Sequence, residues 1–402
     1  MLRLALRNIV RNRNHTTLMV AIVALGSWAM ILTWGVIDGA TDSMLRAQIT
    51  LDTGQLQIHR VGYLDNPGLD NLLSPAELKG LNAALKSESK VKHLSPRLMT
   101  EGLLKSAYGS QGVSVRGIQP RLEPQVTELA QTVIGGRFLN DSGEIMLGRS
   151  LAEKLDVRLG ERVVLEAQGL KRARSQGFRL VGLVNTGLAR LDQSTVFVSL
   201  KDVQSLANVE GVSELAMSLL PRTDEQQLAR ALQTKLGHGV EVSSFYDLNP
   251  LIAIIADLGM VRMAFIMVLL SLLAGFGVAN TITFTVLKRI REFGVILSLG
   301  LRPRQLYRLI TLEALLISTL GFVIGAVLGY SFSLYLEQVG INFDFYSDSF
   351  PDVGVPQVIY AKALWSQGFY SFLVVLFTAT IAARAPARRA ARLEPTEAMR
   401  YV

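Results

Sequence analysis

Hydrophobic and polar positions divide this chain into one apolar stretch near the N-terminus, a long and mostly polar segment, and three further apolar stretches. A helix needs roughly 20 consecutive apolar residues to cross a bilayer, and all four stretches are long enough. The only charged residue well inside any of them is Glu313. The predicted spans are residues 16–40, 259–287, 308–336 and 363–384. We therefore expect an α-helical membrane protein with four transmembrane helices.

The polar segment, residues 41–258, has the pattern of a folded α+β domain inserted between the first and second spans. Ser74 and Pro75 together indicate the start of a helix, and residues 223–236 have apolar positions at helical spacing. Strands dominate between about residues 130 and 190, which predicts a β-rich subdomain. Alternating or apolar runs predict strands at 55–59, 112–118, 162–166, 178–184 and 195–199. Residues 38–51 and 251–258 lack proline and are predicted to be helical, either as rigid stalks or as plain connections.

Basic residues predict the orientation of the spans, because short cytoplasmic flanks retain Lys and Arg. They cluster before the first span, between the second and third, and after the fourth. The connection at 337–362 is acidic. We expect both termini in the cytoplasm and the large insertion outside.

The net charge of +8 does not indicate a nucleic-acid partner, because its location is wrong. Residues 41–258 hold 24 basic and 24 acidic side chains, so the whole excess lies at the membrane flanks. A nucleic-acid reader would concentrate basic residues on a soluble module. Cysteine is absent, which excludes disulfide and thiol chemistry. The first apolar core is longer than that of a signal peptide, so we expect it to be retained.

The chemistry-bearing residues of the insertion predict no active site. The four histidines, His15, His59, His93 and His238, are isolated in sequence. Lys171, Arg172 and Arg174 lie between glycines and predict a hairpin tip, either a solvated loop or a contact with a periplasmic partner. The chain has no GxxxxGK[ST] motif, so it lacks the loop with which many ATPases cradle phosphates.

Residues 288–300 form the sharpest local signal. They begin as a charged turn and become strongly apolar while still on the predicted cytoplasmic side. An amphipathic helix there would lie in the lipid interface or dock in the groove of a cytoplasmic protein. Composition alone leaves both interpretations open.

Several motifs resemble one superfamily of membrane proteins. Residues 291–300 read REFGVILSLG and are followed by RPRQL at 302–306 and LEAL at 312–315. These motifs resemble the coupling-helix signature of the FtsX/MacB/LolC-LolE superfamily, the mechanotransmission permeases of ABC transporters. Residues 385–400 are similar to its C-terminal pattern and residues 4–12 to its N-terminal elbow helix. Residues 145–155 and 159–163 resemble its periplasmic core.

The resemblance, closest in layout to the LolC/LolE-like permeases, implies a division of the chain and a set of site residues. It implies a cytoplasmic amphipathic elbow helix at 1–15, a MacB-like periplasmic domain at 41–258, a coupling segment at 288–307, a periplasmic loop at 337–362 and a cytoplasmic tail at 385–402. The implied ATPase-coupling residues are Arg289, Arg291, Glu292, Phe293, Val295, Ile296, Leu297, Leu299 and Gly300.

The resemblance also implies the partners and the function of the chain. The chain would be a permease subunit without catalytic, metal or cofactor sites, since ATP and Mg would bind two copies of a cytoplasmic ABC ATPase. It would pair with a second copy or a paralogue in the inner membrane, in contact with membrane lipid and with a periplasmic adaptor or chaperone. The implied work is extraction of lipoproteins or other amphiphiles. The alternatives are MacB-like efflux of peptides or toxins and FtsX-like signalling to a cell-wall hydrolase.

The third span carries two further features. Gly321, Gly325 and Gly329 repeat every four residues and predict a smooth stripe for close helix packing. Glu313 lies about one turn inside the span, where an ionisable residue is a functional candidate. We expect it to snorkel or to pair with Arg308, with an ion pathway as the alternative.

Overall fold

The long apolar stretches form long helices in the computed structural model, which describes residues 2–170, 172–250, 254, 258–343 and 357–392. The helices are α1 (Leu2–Arg11), α2 (Arg13–Gln48), α3 (Pro75–Lys86), α4 (Glu123–Val126), α5 (Arg149–Lys154), α6 (Ala189–Ser194), α7 (Leu200–Ala207), α8 (Glu225–Leu236), α9 (Phe245–Leu248), α10 (Gly259–Lys288), α11 (Ile290–Ser298), α12 (Pro303–Val339) and α13 (Trp365–Ala391). A π-helix, Ile49–Thr53, follows α2, and a 3-10 helix covers Leu129–Thr132.

The strands lie almost entirely within the predicted insertion. They are β1 (Leu56–Arg60), β2 (Val91–Lys105), β3 (Ser110–Ile118), β4 (Val133–Gly136), β5 (Glu144–Gly148), β6 (Arg162–Ala167), β7 (Arg174–Val184), β8 (Thr195–Ser199), β9 (Glu214–Leu219), β10 (Val240–Ser244), β11 (Ile341–Asn342) and β12 (Val358–Ile359). The five strands predicted from the sequence pattern are confirmed to within a few residues.

The chain divides into two compact units. The first comprises Met1–Ala40, Asp257–Ile341 and Ile359–Val402, and the second comprises Thr41–Ala256 and Asn342–Val358. Among the described residues, four helices are long and apolar enough to cross a membrane: Arg13–Thr53 (including the π-helix), Gly259–Lys288, Pro303–Val339 and Trp365–Ala391.

Helix boundaries in the first unit differ in places from the hydropathy estimate. α2 begins three residues earlier than the predicted span and continues to Gln48. α12 begins at Pro303, so its first turns take up part of the predicted coupling segment. α13 continues to Ala391 with Pro386 inside it, so the first part of the predicted tail is helical. Hydropathy marks only the apolar core of a helix, whereas backbone hydrogen bonds continue beyond it. Most of 251–258 and residues 393–402 lie outside the described residues.

The second unit is built on a ten-stranded sheet in the order β10-β1-β9-β2-β3-β8-β5-β7-β4, with β6 paired to β2 and β7. β2 is long enough to serve both halves: its first residues pair with β9, and its last residues pair with β3 and β6. The strands of the predicted β-rich region therefore belong to the same continuous sheet.

Separate hydrophobic clusters nevertheless lie in the two halves of this sheet. One joins β1, β9 and β10 to α3 and α8 and includes Leu81, Leu228 and Met217. Another joins strands β2, β3 and β5–β8 and includes Leu104 and Phe178. The second cluster also takes in Leu98, Val115 and Val203, so it extends beyond the predicted β-rich region.

Local signals explain where the helices of this unit begin. Ser74 is the N-cap of α3 and exchanges hydrogen bonds with Glu77 in a capping box, with Pro75 in the first turn. Asp224 caps α8 by accepting from the backbone of Gln227. The capping signal at Ser74 was correctly identified from sequence.

Candidate functional site

The segment that resembles a coupling helix forms a separate short helix, α11, between two long ones. α10 ends at Lys288, Arg289 leaves helical geometry, and α11 starts at Ile290. After Ser298 the chain turns through Gly300, whose φ of +93° favours glycine. Pro303 then starts α12, where its lack of an N–H costs nothing.

The two faces of α11 differ sharply. Ile290, Phe293 and Gly294 are buried, and Leu297 packs partly into the same core. The opposite face is exposed in this chain and consists of Arg291, Glu292, Val295 and Ser298, and the exposed surface continues to Leu299, the residue that follows the helix. Leu299 is 82% exposed and Val295 45% exposed. Exposure of large apolar side chains beside charged ones is typical of a docking surface.

Two residues assigned to the coupling surface by resemblance are buried. The Phe293 side chain is 2% exposed and packs in the core of the first unit. The Arg289 side chain is 8% exposed, and its guanidinium lies 4.9 Å from the centre of the Phe293 ring. Both therefore face inward. Helical periodicity explains Phe293, which lies three residues after Ile290 and shares its buried side, and Arg289 precedes α11 and packs against the Phe293 ring.

The acidic residue of the third apolar stretch has partners other than the one expected. Glu313 Oε1 accepts a 2.5 Å hydrogen bond from Asn8 Nδ2, and Glu313 Oε2 lies 3.6 Å from Arg289 Nη1. The expectation that Arg308 pairs with Glu313 is therefore wrong. Sequence proximity favoured Arg308, whereas packing brings Arg289 and α1 against this face of α12.

The glycines of α12 face α2. A Cβ atom on Gly321 would lie 2.8 Å from Val23 Cβ, and one on Gly325 would lie 2.3 Å from the carbonyl oxygen of Ala24. At Gly329 it would lie 3.0 Å from Ile31 Cβ. The backbones of the two helices can approach this closely because the stripe has no side chains.

The predicted hairpin tip lies between β6 and β7, which pair antiparallel up to Ala167 and Arg174. Arg172 is exposed, and Arg174 donates to the carbonyl of Ser205 at 3.2 Å. Lys171 lies outside the described residues.

A buried ion network in the second unit was not identified from the sequence. The Arg97 side chain is fully buried. Arg97 Nη2 lies 2.6 Å from Glu123 Oε1, and Arg97 Nη1 lies 2.9 Å from Glu214 Oε1 and 2.7 Å from the carbonyl oxygen of Asp52. Burial by itself raises the pKa of Glu123, but the charge and hydrogen bonds of Arg97 outweigh burial and hold the pKa below its ordinary 4.5.

The same network fastens the π-helix to the sheet. The Asp52 carboxylate pairs with Arg116 of β3 and with Arg190 of α6. π-Helical turns are rare and are frequently found at functional sites. The sequence carries only a weak signal for this network, because Arg97 and Arg116 lie inside strands but β2 holds several other charged residues as well.

A buried histidine adjoins this network. His59 is 1% exposed, its ring stacks on Tyr63, and its Nε2 lies 3.0 Å from Gln57 Oε1. Burial lowers the pKa of His59 below 6.5.

Comparisons with known proteins match both units. Residues 16–235, more than half of the chain, match the family profile described as MacB-like periplasmic core domain. Residues 264–395 match the profile described as FtsX-like permease C-terminal.

Individual relatives cover nearly the whole chain. It is 26% identical to the lipoprotein-releasing system transmembrane protein LolC of Neisseria meningitidis serogroup B, over 96% of this chain and 94% of that protein. It is 22% identical to the uncharacterized ABC transporter permease YknZ of Bacillus subtilis, over 100% of this chain and 98% of that one. The crystal structure of the periplasmic region of MacB from Actinobacillus actinomycetemcomitans covers 50% of this chain and 94% of its own, with 16% identity and a TM-score of 0.36.

Proposed function

This chain belongs to the family of FtsX-like ABC transporter permeases with a MacB-like periplasmic core domain, and from that premise we propose that it converts ATP hydrolysis by a separate cytoplasmic ATPase into motion of its periplasmic domain. The observation that carries the proposal is the exposed face of α11. Two large apolar side chains, Val295 and Leu299, stand there beside Arg291 and Glu292 without a cover in this chain.

The basic residues around α11 support a cytoplasmic location for this surface. Lys288, Arg302, Arg304 and Arg308 flank α11, and retained basic residues favour the cytoplasmic side. An apolar helix face with charged neighbours fits a groove on another protein. In the proposal the groove belongs to the ATPase, two copies of which serve a permease dimer or a pair of paralogues in the inner membrane. Both termini are cytoplasmic, and the α+β domain between the first two membrane helices is periplasmic.

The proposed cargo is a lipoprotein or another amphiphile taken from the outer leaflet. Support comes from the relative named as a lipoprotein-releasing protein, which matches the chain from end to end. Apart from Glu313, the membrane helices carry few charges well inside their apolar cores, so the chain shows no row of charges for a polar solute.

The docking step is tested in nanodiscs that hold the full-length permease and its ATPase subunit. Leu299→Asp introduces a charge that the apolar groove would have to desolvate, so we expect ATPase binding to weaken at least tenfold. Leu299→Met preserves volume and polarity and serves as the matched control. Equal binding and equal permease-dependent ATP hydrolysis by the Leu299→Asp protein would show that α11 is not the docking helix.

The cargo is tested separately. Proteoliposomes containing the complex and a triacylated lipoprotein should release the lipoprotein only with ATP and Mg. ATP-dependent export of a macrolide or peptide without lipoprotein release would replace this cargo with that of the MacB-like alternative. Hydrolysis without either would favour the signalling alternative.

A further inference from the structure

Five side chains of the first unit form a closed polar circuit around the start of α11. Arg289 at the break between α10 and α11 contacts Glu292 of α11 and Glu313 of α12, with Nε 3.1 Å from Glu292 Oε2. Glu292 Oε2 also accepts from Arg11 Nη2 at 2.6 Å, and Glu313 accepts from Asn8. Asn8 and Arg11 are three residues apart on α1, so the circuit closes through that helix.

The centre of this circuit is buried and its edge is exposed. The side chains of Arg289 and Glu313 are 8% and 13% exposed, whereas those of Glu292 and Arg11 are 47% and 56% exposed. A cavity of about 30 Å³ adjoins Asn8, Arg289 and Glu313, which is space for about one water molecule.

The break at Arg289 gives the circuit a mechanical consequence. The backbone there leaves helical geometry, so it restrains the angle between α10 and α11 less than a continuous helix would. When a buried guanidinium loses a carboxylate partner, the free-energy cost of keeping its charge away from water is no longer offset. Rocking α11 away from α12 would separate Arg289 from Glu313, and rocking it away from α1 would separate Glu292 from Arg11. The circuit therefore favours one orientation of α11.

We propose that Asn8, Arg11, Arg289 and Glu313 are positioning residues that make α1, α11 and the first turns of α12 move as one block when the ATPase pushes on α11. This inference rests on the proposed docking of an ATPase at α11. It assigns α1 a role in energy coupling: force reaches α12 through the Arg289–Glu313 contact as well as through the chain connection at residues 299–302.

The test compares binding with coupling in the same nanodisc complex. Asn8→Ala, Arg11→Gln and Glu313→Gln each remove one link while leaving Val295 and Leu299 in place. We expect ATPase binding to stay within about twofold of wild type in all three variants. The permease-dependent hydrolysis rate should fall about threefold to tenfold in Asn8→Ala and Glu313→Gln, the equivalent of one lost hydrogen bond. Arg11→Gln removes a half-exposed ion pair, so its rate should fall at most about fivefold. Arg7→Gln removes an exposed cation one turn earlier on α1 and should leave the rate unchanged.

A double variant tests whether the links act as a unit. Asn8→Ala combined with Glu313→Ala should couple no worse than Glu313→Ala alone, since Glu313→Ala already removes the acceptor of the Asn8 hydrogen bond. Glu313 is buried and its variants can fold poorly, but Asn8 is only half-buried on α1, so the Asn8→Ala result decides the matter in either case.

Wild-type hydrolysis rates in Asn8→Ala and Arg11→Gln would overturn the positioning role. Loss of ATPase binding in these two variants would also overturn it and would assign α1 to the docking surface instead. Neither outcome depends on Leu299→Asp. Wild-type ATPase binding and hydrolysis by that variant would refute the docking proposal itself.

Discussion

Replacing Arg97 by methionine should destabilise the second unit more than any exposed charge change on the same strand. The substitution preserves much of the side-chain volume but removes the guanidinium that satisfies Glu123 and Glu214. Two carboxylates are then left buried at 1% and 3% side-chain exposure with one fewer partner each. Breaking a buried pair in this way costs about 3–5 kcal/mol.

The matched control is Lys105→Met, also on β2. Lys105 Nζ lies 2.5 Å from Glu166 Oε2, but the lysine side chain is 44% exposed. Water and salt screen this pair, so its loss should cost about 0–1 kcal/mol. The two variants differ chiefly in burial, since each removes one cation from one strand.

Hydrogen exchange by mass spectrometry on the full-length protein in nanodiscs provides the measurement. Local opening free energies of β2 and β9 amides should fall in Arg97→Met, which speeds exchange of the slowest amides by roughly two to four orders of magnitude. Lys105→Met should change exchange less than tenfold. Equal protection in the two variants would refute the reasoning that burial decides the cost.

The stability deficit of Arg97→Met should also depend on pH. In the wild-type protein the pKa of Glu123 is lowered, so its contribution to stability is present above 4.5 and is lost as the pH falls through the folded-state pKa. Without Arg97, burial dominates and the pKa of Glu123 should rise above 4.5, so the protonated form becomes accessible at mild acidity. The deficit of Arg97→Met should therefore shrink between about pH 7 and pH 5.

Two further predictions concern packing and protonation. Gly325→Ala would place a Cβ atom 2.3 Å from the carbonyl oxygen of Ala24, so it should destabilise the protein by about 1–3 kcal/mol and lower the thermal unfolding midpoint. The control is Gly80→Ala, which has open space in α3 and should raise the midpoint slightly. Equal midpoints for the two variants would contradict the close approach of α2 and α12. The folded-state pKa of His59 lies below 6.5, so its contribution should be complete above pH 6.5 and decline as the pH falls toward that pKa. His59→Gln should reduce this slope in the unfolding midpoint between about pH 7.5 and pH 5.5, and an unchanged slope would place the responsible group elsewhere.

Much of the architecture follows from local pattern. Four apolar stretches were enough to place four long helices. In hydrocarbon each unpaired backbone N–H or C=O group costs several kcal/mol, and a helix pairs these groups within the segment itself. The capping box at Ser74 and most strand positions also depend on neighbours within a few residues. Hydropathy did not identify the ends of α2 and α13, since helices continue into polar sequence where hydrogen bonding permits.

The candidate site likewise has features that the sequence shows and features that only packing decides. The amphipathic character of residues 290–298 is visible in the sequence, but which residues face inward is not. Phe293 and Arg289 are inward because α11 packs against the core of its own unit, and no feature of the segment alone reveals that side.

The charge partners depended on the tertiary structure. Asn8 and Glu313 are 305 positions apart, Arg11 and Glu292 are 281 apart, and Arg97 and Glu214 are 117 apart. The sequence places Arg11 and Glu292 beside membrane spans but does not select their partners, because in water a charge meets any of several opposite charges at similar cost. Packing brought these partners together and, for the Arg97 pairs, also excluded water and fixed a single geometry.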